Sequence, residues 1–417
     1  MNNKRIFGLA LLLVACTLAL PAADFGLQLL NVSAFSTELP APETEWSLNQ
    51  LDRAVLWLST PLSAELSLYV SGFYEFSASL LADPAISPYR FDAGMIALNG
   101  LFPRLLGENS TVAFSLGRIP VQDFSARVLS GLNDGALVSL TLGNNQIKLL
   151  GGYLGLQEKV TALVMIDTDD QNRLSGDDKA AATDPDFPSS YFALPRLFFG
   201  AGFRASEIFP SHDAGIELWG QLDLLAGGAE TTHTFYAEPY IAGRLGRLLR
   251  WNAWQVTEMI VDDVVSVAMA AGGRLRLAVP EVAALNLNLN VQWSGGLFAG
   301  GLDAFTPIRQ SMMGSYSAFF FQNSLMTGLD ASLTPLEGFS VAANGALYLR
   351  GSSELPADFT GSSLLTGFEG GFNLRYRPTG DLSLSLGGGI FVPNTVDGYP
   401  TDTLPSLKAT FGLALDL

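Results

Sequence analysis

The sequence predicts an all-β fold, a transmembrane antiparallel up-and-down β-barrel of about 18 strands, with 16 possible. Three observations predict it. The chain has 417 residues, is 48% hydrophobic and only 15% charged, whereas soluble domains run nearer about 25% charged. Beyond the N-terminus, no stretch reaches the roughly 18 uninterrupted apolar residues of a membrane-spanning helix. A two-residue alternation of apolar and polar side chains runs through most of the chain, and strands, not helices, have that period. The same composition excludes other classes. With 11% aromatics the chain is not a disordered one. Its formal net charge of −17 opposes binding to phosphate backbones, so no nucleic-acid partner is expected.

The first residues predict an export signal over 1–23. Lys4 and Arg5 precede an apolar run from Ile6 to Leu20, followed by Pro21-Ala22-Ala23-Asp24. A positive region, an apolar core and small residues before a cleavage point are the parts of a secretory signal. The competing reading takes Leu13-Val14-Ala15-Cys16 as a lipoprotein box with Cys16 acylated. Against it, the apolar run continues past Cys16. Cleavage after Ala23 leaves 24–417 as a single barrel domain without cysteine, and so without disulfides or thiolate chemistry.

The alternation then sets the strands. In Leu285-Asn286-Leu287-Asn288-Leu289-Asn290-Val291 every odd residue is apolar and every even one polar. Leu382–Gly387, Glu65–Val70 and Ile216–Leu224 repeat the pattern. Successive strand side chains point to opposite faces, so each segment has one apolar and one polar face. Strands are expected near 25–35, 47–58, 64–77, 90–101, 110–118, 135–142, 146–157, 192–205 and 213–225, then 233–243, 248–260, 265–279, 284–294, 317–333, 338–350, 363–377, 381–392 and 405–417. Most exceed the roughly 5–6 residues usual in soluble sheets and can cross a bilayer when tilted. Compact turns follow even-numbered strands, as at Gly143-Asn144-Asn145 and Pro378-Thr379-Gly380, and longer connections follow most odd-numbered ones. Transmembrane barrels alternate short turns and long outer loops in this way.

In the last segment Leu407, Ala409, Phe411, Leu413, Leu415 and Leu417 share one face. It resembles the C-terminal strand of bacterial outer-membrane barrels. The resemblance implies an insertion signal at Phe411, Leu413, Leu415 and Leu417, with the barrel-assembly machinery and the lipid bilayer as partners. Those strands usually end in Phe, and here Leu417 departs from that pattern.

Inside such a barrel the polar face meets water. On the strand register Lys148, Glu217, Asp223, Arg274, Arg276, Asp330, Arg350, Glu369 and Arg375 point inward, together with Glu65, Glu75 and Arg377. Arg or Lys facing lipid at mid-depth costs about 2–4 kcal/mol, which supports that register. The connection after strand five, from Arg118 through Asp123 and Arg127 to Asp134, resembles in position the constriction loop of general porins. The resemblance implies a charged loop narrowing the pore at Arg118, Asp123, Arg127 and Asp134; the alternative is a loop lying over the mouth. Asp167, Asp169, Gln171, Ser175 and Asp178 have the spacing of calcium ligands, although Asn172 replaces the turn glycine and Asp178 the bidentate Glu; an acidic, solvated loop explains the same residues. No other cofactor is expected.

Catalysis is not expected. His212 lies in a predicted turn on one side of the membrane and His233 at the opposite side, with no nucleophile motif beside either. The expected function is a porin-like outer-membrane channel for passive diffusion of small hydrophilic solutes, possible as a homo-oligomer. The alternative is a surface barrel whose outer loops, including Pro40-Ala41-Pro42, bind a partner.

Overall fold

The computed structural model describes residues 23–38, 46–80, 85–86, 90–167, 170, 191–224, 231–262, 264–295, 305–311, 314–316, 323–350, 364–394 and 405–417. Eighteen long strands build it. They are β1 (Asp24–Glu38), β2 (Trp46–Pro61), β3 (Leu66–Ser79), β4 (Arg90–Pro103), β5 (Ser110–Gln122), β6 (Ser130–Leu142), β7 (Asn145–Tyr153), β8 (Arg196–Phe209) and β9 (His212–Asp223). The second half contains β10 (His233–Leu245), β11 (Leu249–Val261), β12 (Val265–Val279), β13 (Leu285–Ser294), β14 (Ser324–Leu336), β15 (Phe339–Arg350), β16 (Leu365–Tyr376), β17 (Leu382–Pro393) and β18 (Ser406–Asp416). Each predicted strand overlaps one of them. A two-residue strand, Ala85–Ile86, extends the edge of β3, and one helical turn, α1, spans Lys159–Ala162.

Every strand pairs antiparallel with its neighbours in sequence. β18 returns to β1, from Gln28↔Asp416 to Glu38↔Ser406, and closes the sheet. Closure removes the edges and satisfies the backbone groups, as a sheet standing in hydrocarbon requires. No helix among the described residues is long and apolar enough to cross a membrane.

The alternation gives the wall two surfaces. Ile216 and Leu218 are 43% and 50% exposed, while Glu217 between them is 8% exposed. Leu149 and Ile147 flank Lys148 in the same way, and Phe368 and Phe372 straddle Glu369. The outer surface is therefore mainly a belt of Leu, Phe, Val and Ile, and most of the strands' charge is turned inward, Asp52 of β2 being an exception. The buried apolar cluster lies within the barrel, where Phe198, Trp219, Tyr236 and Val256 of the wall meet Val128, Leu129, Phe305 and Ile308 of the loops.

The boundaries depart from expectation at several strand ends; β5 runs on to Gln122 and β8 spans Arg196–Phe209, four residues late at each end. β6 begins at Ser130, five residues early, because Ser130–Asp134 pair with Arg118–Gln122. β7 stops at Tyr153, because Gln157 and Lys159 instead pair with Ala193 and Tyr191 inside the following loop. β14 begins at Ser324, and 317–322 lie outside the described residues.

Gly117 breaks the alternation in β5. Its φ is +123°, and a Cβ there would stand 2.1 Å from the Ile96 carbonyl oxygen. Leu116 before it is 52% exposed on the outer belt, whereas Arg118 after it donates to Asp134 and to the Leu156 carbonyl. Gly117→Ala is expected to cost about 1–3 kcal/mol of backbone strain in addition to the clash. A lower urea midpoint of the refolded barrel, read by its heat-modifiable gel mobility, checks this.

Candidate functional site

Most connections at one end of the barrel are longer than the turns at the other, and loop 3 and the described parts of loops 4 and 7 fold into the lumen. Loop 3, between β5 and β6, turns on Asp123, which is 2% exposed. Its Oδ1 accepts from the Val128 and Leu129 amides at 3.2 and 2.7 Å. Its Oδ2 accepts from Ser125 Oγ and the Arg127 amide at 2.5 and 3.1 Å. One carboxylate thus organises the tight turn. The turn is moored to the far wall, where the Phe124 amide donates to Glu217 at 3.0 Å and the Ser125 amide to Glu238 at 2.7 Å. The Phe124 ring stacks on Tyr240 with centroids 3.7 Å apart, and Lys148 Nζ donates to the Gln122 carbonyl and to Glu217.

Loop 7, between β13 and β14, is moored by the same chemistry. The Thr306 amide donates to Glu258 at 2.7 Å and Tyr236 donates to the Thr306 carbonyl at 2.6 Å. Further along, the Ser315 and Tyr316 amides donate to Glu369 at 3.0 and 3.1 Å. The Tyr316 ring lies flush against β16 and β17, where a Cβ at Gly371 or Gly389 would stand 2.2 Å from it. Loops 3 and 7 also touch each other. Arg127 donates to Ser311 Oγ at 2.8 Å, and the Arg309 amide to the Val128 carbonyl at 3.2 Å.

Loop 4, between β7 and β8, completes the junction. Arg309 of loop 7 donates to the Leu132 and Thr161 carbonyls, and the Gln310 amide to the Leu163 carbonyl. Fully buried Arg196 gathers Asp167, Asp170 and Asp223 around it. Burial raises the Asp170 carboxyl above its usual range, against the lowering effect of Arg196.

Toward the short-turn end the wall carries a different chemistry. Arg244, Arg250 and Arg276 stand in one register row across β10, β11 and β12. In the adjacent row Arg274 lies between Asn252 and Asn290 and donates to Asn290 at 2.7 Å. Arg276 donates to Asn286 at 2.8 Å. None of these four guanidinium groups has a carboxylate partner among the described residues. With Asp213 and Asn252 they line a hollow open to the lumen. Arg127 of loop 3 lies in their field, and its pKa falls to about 10, chiefly through burial and in part through Arg274.

The predicted residues are thus distributed over distinct tasks. Arg118 and Asp134 pair with each other at 2.8 Å. Asp123 holds the turn and Arg127 spans to loop 7. Among the wall residues, Lys148, Glu217 and Glu369 moor the loops and Asp223 joins the Arg196 cluster, whereas Arg274 and Arg276 belong to the guanidinium patch. Asp330 accepts from Asn290 and Arg375 donates to Ser383; Arg350 shares their inward parity. Of the calcium candidates, Asp167 is engaged by Arg196, and Asp169, Gln171, Ser175 and Asp178 lie outside the described residues, as do Pro40-Ala41-Pro42. His212 and His233 occupy opposite ends of the barrel.

Sequence reading missed Glu238, Glu258, Arg244 and Arg250. All four share the inward parity of their strands, so alternation could have found them. Arg309 and Tyr316 carry no such signal, because they lie in a loop with no period.

Arg127 yields a pH prediction. A guanidinium held near 10 is charged at neutral pH and loses its charge as pH rises through 10. The contact of Arg127 with loop 7 is expected to weaken between about pH 9 and 11, so that loop 3 loses protection from added protease over that range in the wild type and shows no such change in Arg127→Gln.

No protein-family model matches the chain, and no curated protein matches it. Solved structures do. The chain is similar to OccK5 (OpdH) of Pseudomonas aeruginosa, with 10% identity, a TM-score of 0.57, and 95% of this chain and 99% of that one covered. OpdL of the same organism gives 14% identity, a TM-score of 0.57 and the same coverage. OccK2 (OpdF), solved in complex with glucuronate, gives 12% identity and a TM-score of 0.53, covering 95% and 98%. At these identities the likeness is one of fold, and it extends over nearly the whole of each chain.

Proposed function

We propose that this chain is a porin-like channel of the bacterial outer membrane, through which small hydrophilic solutes diffuse passively, anions in preference to cations. The observation that carries the reading is the row Arg244–Arg250–Arg276, guanidinium groups on the inner wall that have no carboxylate partner among the described residues. A water-filled lumen narrowed by loops and lined on one side by fixed positive charge raises the local concentration of anions. The inward folding of loop 3 and of the described parts of loops 4 and 7 supports a channel over a surface-binding barrel, because it turns those segments to the lumen. OccK2, which shares the fold, was solved with glucuronate, a carboxylated sugar, and that class of solute suits the guanidinium row. The aliphatic face of β18 supports delivery by the barrel-assembly machinery. No energy source enters the reading.

Planar-bilayer recording of the purified protein under a salt gradient tests it. Discrete conductance with a reversal potential on the anion side is expected. A closed barrel would refute the channel, and a cation-side potential would refute the anion preference.

A further inference from the structure

A carboxylate interrupts the apolar outer belt midway along β2. The outward series of β1 is Phe25, Leu27, Leu29, Asn31, Ser33 and Phe35, and that of β2 is Leu58, Leu56, Ala54, Asp52, Gln50 and Leu48. Exposure fixes the direction, since Phe35, Leu56 and Phe411 of the same face are 41%, 53% and 45% exposed. Arg53 and Glu75 pair on the opposite face, where Arg90 joins Glu75 to Thr161 of loop 4.

On the outer face, Asn31 stands between Asp52 and Leu413 in register, and Ser33 between Gln50 and Phe411. The four polar groups form one network. Asn31 Nδ2 donates to Asp52 Oδ1 at 2.5 Å, Gln50 Nε2 to the same oxygen at 3.3 Å, and Ser33 Oγ to Gln50 Oε1 at 2.7 Å. The outward positions of β13, β15, β17 and β18 contain only Leu, Val, Ile, Phe, Trp, Ala and Gly.

Hydrocarbon cannot solvate a carboxylate, and Asn31 and Asp52 stand near the middle of β1 and β2, away from both rims of the barrel. The internal bonds use one N–H of each amide and one oxygen of Asp52. The second N–H of Asn31 and of Gln50, and Asp52 Oδ2, have no partner among the described residues. Lipid chains offer these groups nothing. A partner that crosses the membrane at the same depth can.

We propose that the outer face of β1 and β2, centred on Asp52, docks a second copy of this chain; the inference rests on the membrane reading above. An identical barrel sits at the same height, so its own network arrives at the right depth. The unused groups include both donors and an acceptor, so the patch is complementary to itself under a two-fold contact. Phe25, Phe35, Trp46 and Phe411, all exposed on this face, supply the apolar rim that such an interface buries.

Crosslinking in isolated outer membranes tests the proposal. The only cysteine in the sequence is Cys16, within the predicted export signal, so an introduced thiol reports alone. Leu48→Cys places one on the rim of the patch and leaves the network intact; Leu289→Cys places one on β13. With a bis-maleimide, Leu48→Cys is expected to give a species of twice the monomer mass and Leu289→Cys none. Adding Asp52→Leu to Leu48→Cys is expected to reduce the crosslinked fraction at least about fivefold, while gel mobility shows the barrel still folded. A monomer only, an adduct of another mass, or a crosslink indifferent to Asp52→Leu would overturn the proposal while the membrane reading stands. Absence of the folded barrel from the membrane fraction would overturn both.

Discussion

Replacing Asp123 with alanine is expected to raise single-channel conductance about two- to fivefold and to add current noise, because loop 3 no longer holds its place across the lumen. The carboxylate accepts four hydrogen bonds from its own loop. Two of the donors, the amides of Val128 and Leu129, belong to residues with no exposed surface. Each buried donor left without an acceptor costs about 1–3 kcal/mol. The moorings through Phe124 and Ser125 cannot make up that loss, because they depend on the turn geometry that Asp123 fixes. The strands do not rely on this side chain, so the barrel should assemble and show wild-type heat modifiability. Conductance unchanged from wild type would mean that loop 3 is held by its wall contacts alone.

The second large effect concerns charge. Substituting Arg244, Arg250 and Arg276 together by glutamine is expected to cut the preference for chloride over potassium about tenfold, roughly 1.4 kcal/mol of differential energy in a confined aqueous space. The three occupy one register row, so their fields add at one level of the lumen. Glutamine keeps much of the side chain's bulk and some hydrogen-bonding capacity, so a change in reversal potential reports charge and not width. Screening supplies the control, since the Debye length falls from about 10 Å at 0.1 M salt to about 3 Å at 1 M. The difference between wild type and the triple variant should therefore be large in dilute salt and small in concentrated salt. A reversal potential unaltered in dilute salt would remove the row from the selectivity mechanism while leaving the channel itself intact.

The legible part of this protein was periodic. Leu285 to Val291 alternate residue by residue, and in the structure Leu289 and Val291 face outward while Asn290 reaches Arg274 and Asp330 inside. Glu217, between two exposed aliphatic residues, is another position where parity alone fixes the side. The four carboxylates that moor the loops illustrate the limit. Parity places Glu217, Glu238, Glu258 and Glu369 inside, yet nothing local says that their partners are backbone amides up to 113 residues away. Asp123 was legible as a charge in a loop after strand five, but its burial was not. A short acidic side chain reads the same whether it faces the pore or closes a turn.

Alternation alone sets the barrel, a strand number between 16 and 18 and the inner and outer sides of its wall, because each follows from a two-residue period imposed by two solvents on one backbone. The closing pair that makes the number 18, the filling of the lumen, the arginines that share a row and the meeting of Asn31 and Asp52 on the outer wall come only with the fold. Those facts depend on register between strands and on where aperiodic loops come to rest. Both are set by contacts between residues far apart in the chain, and no local pattern encodes them.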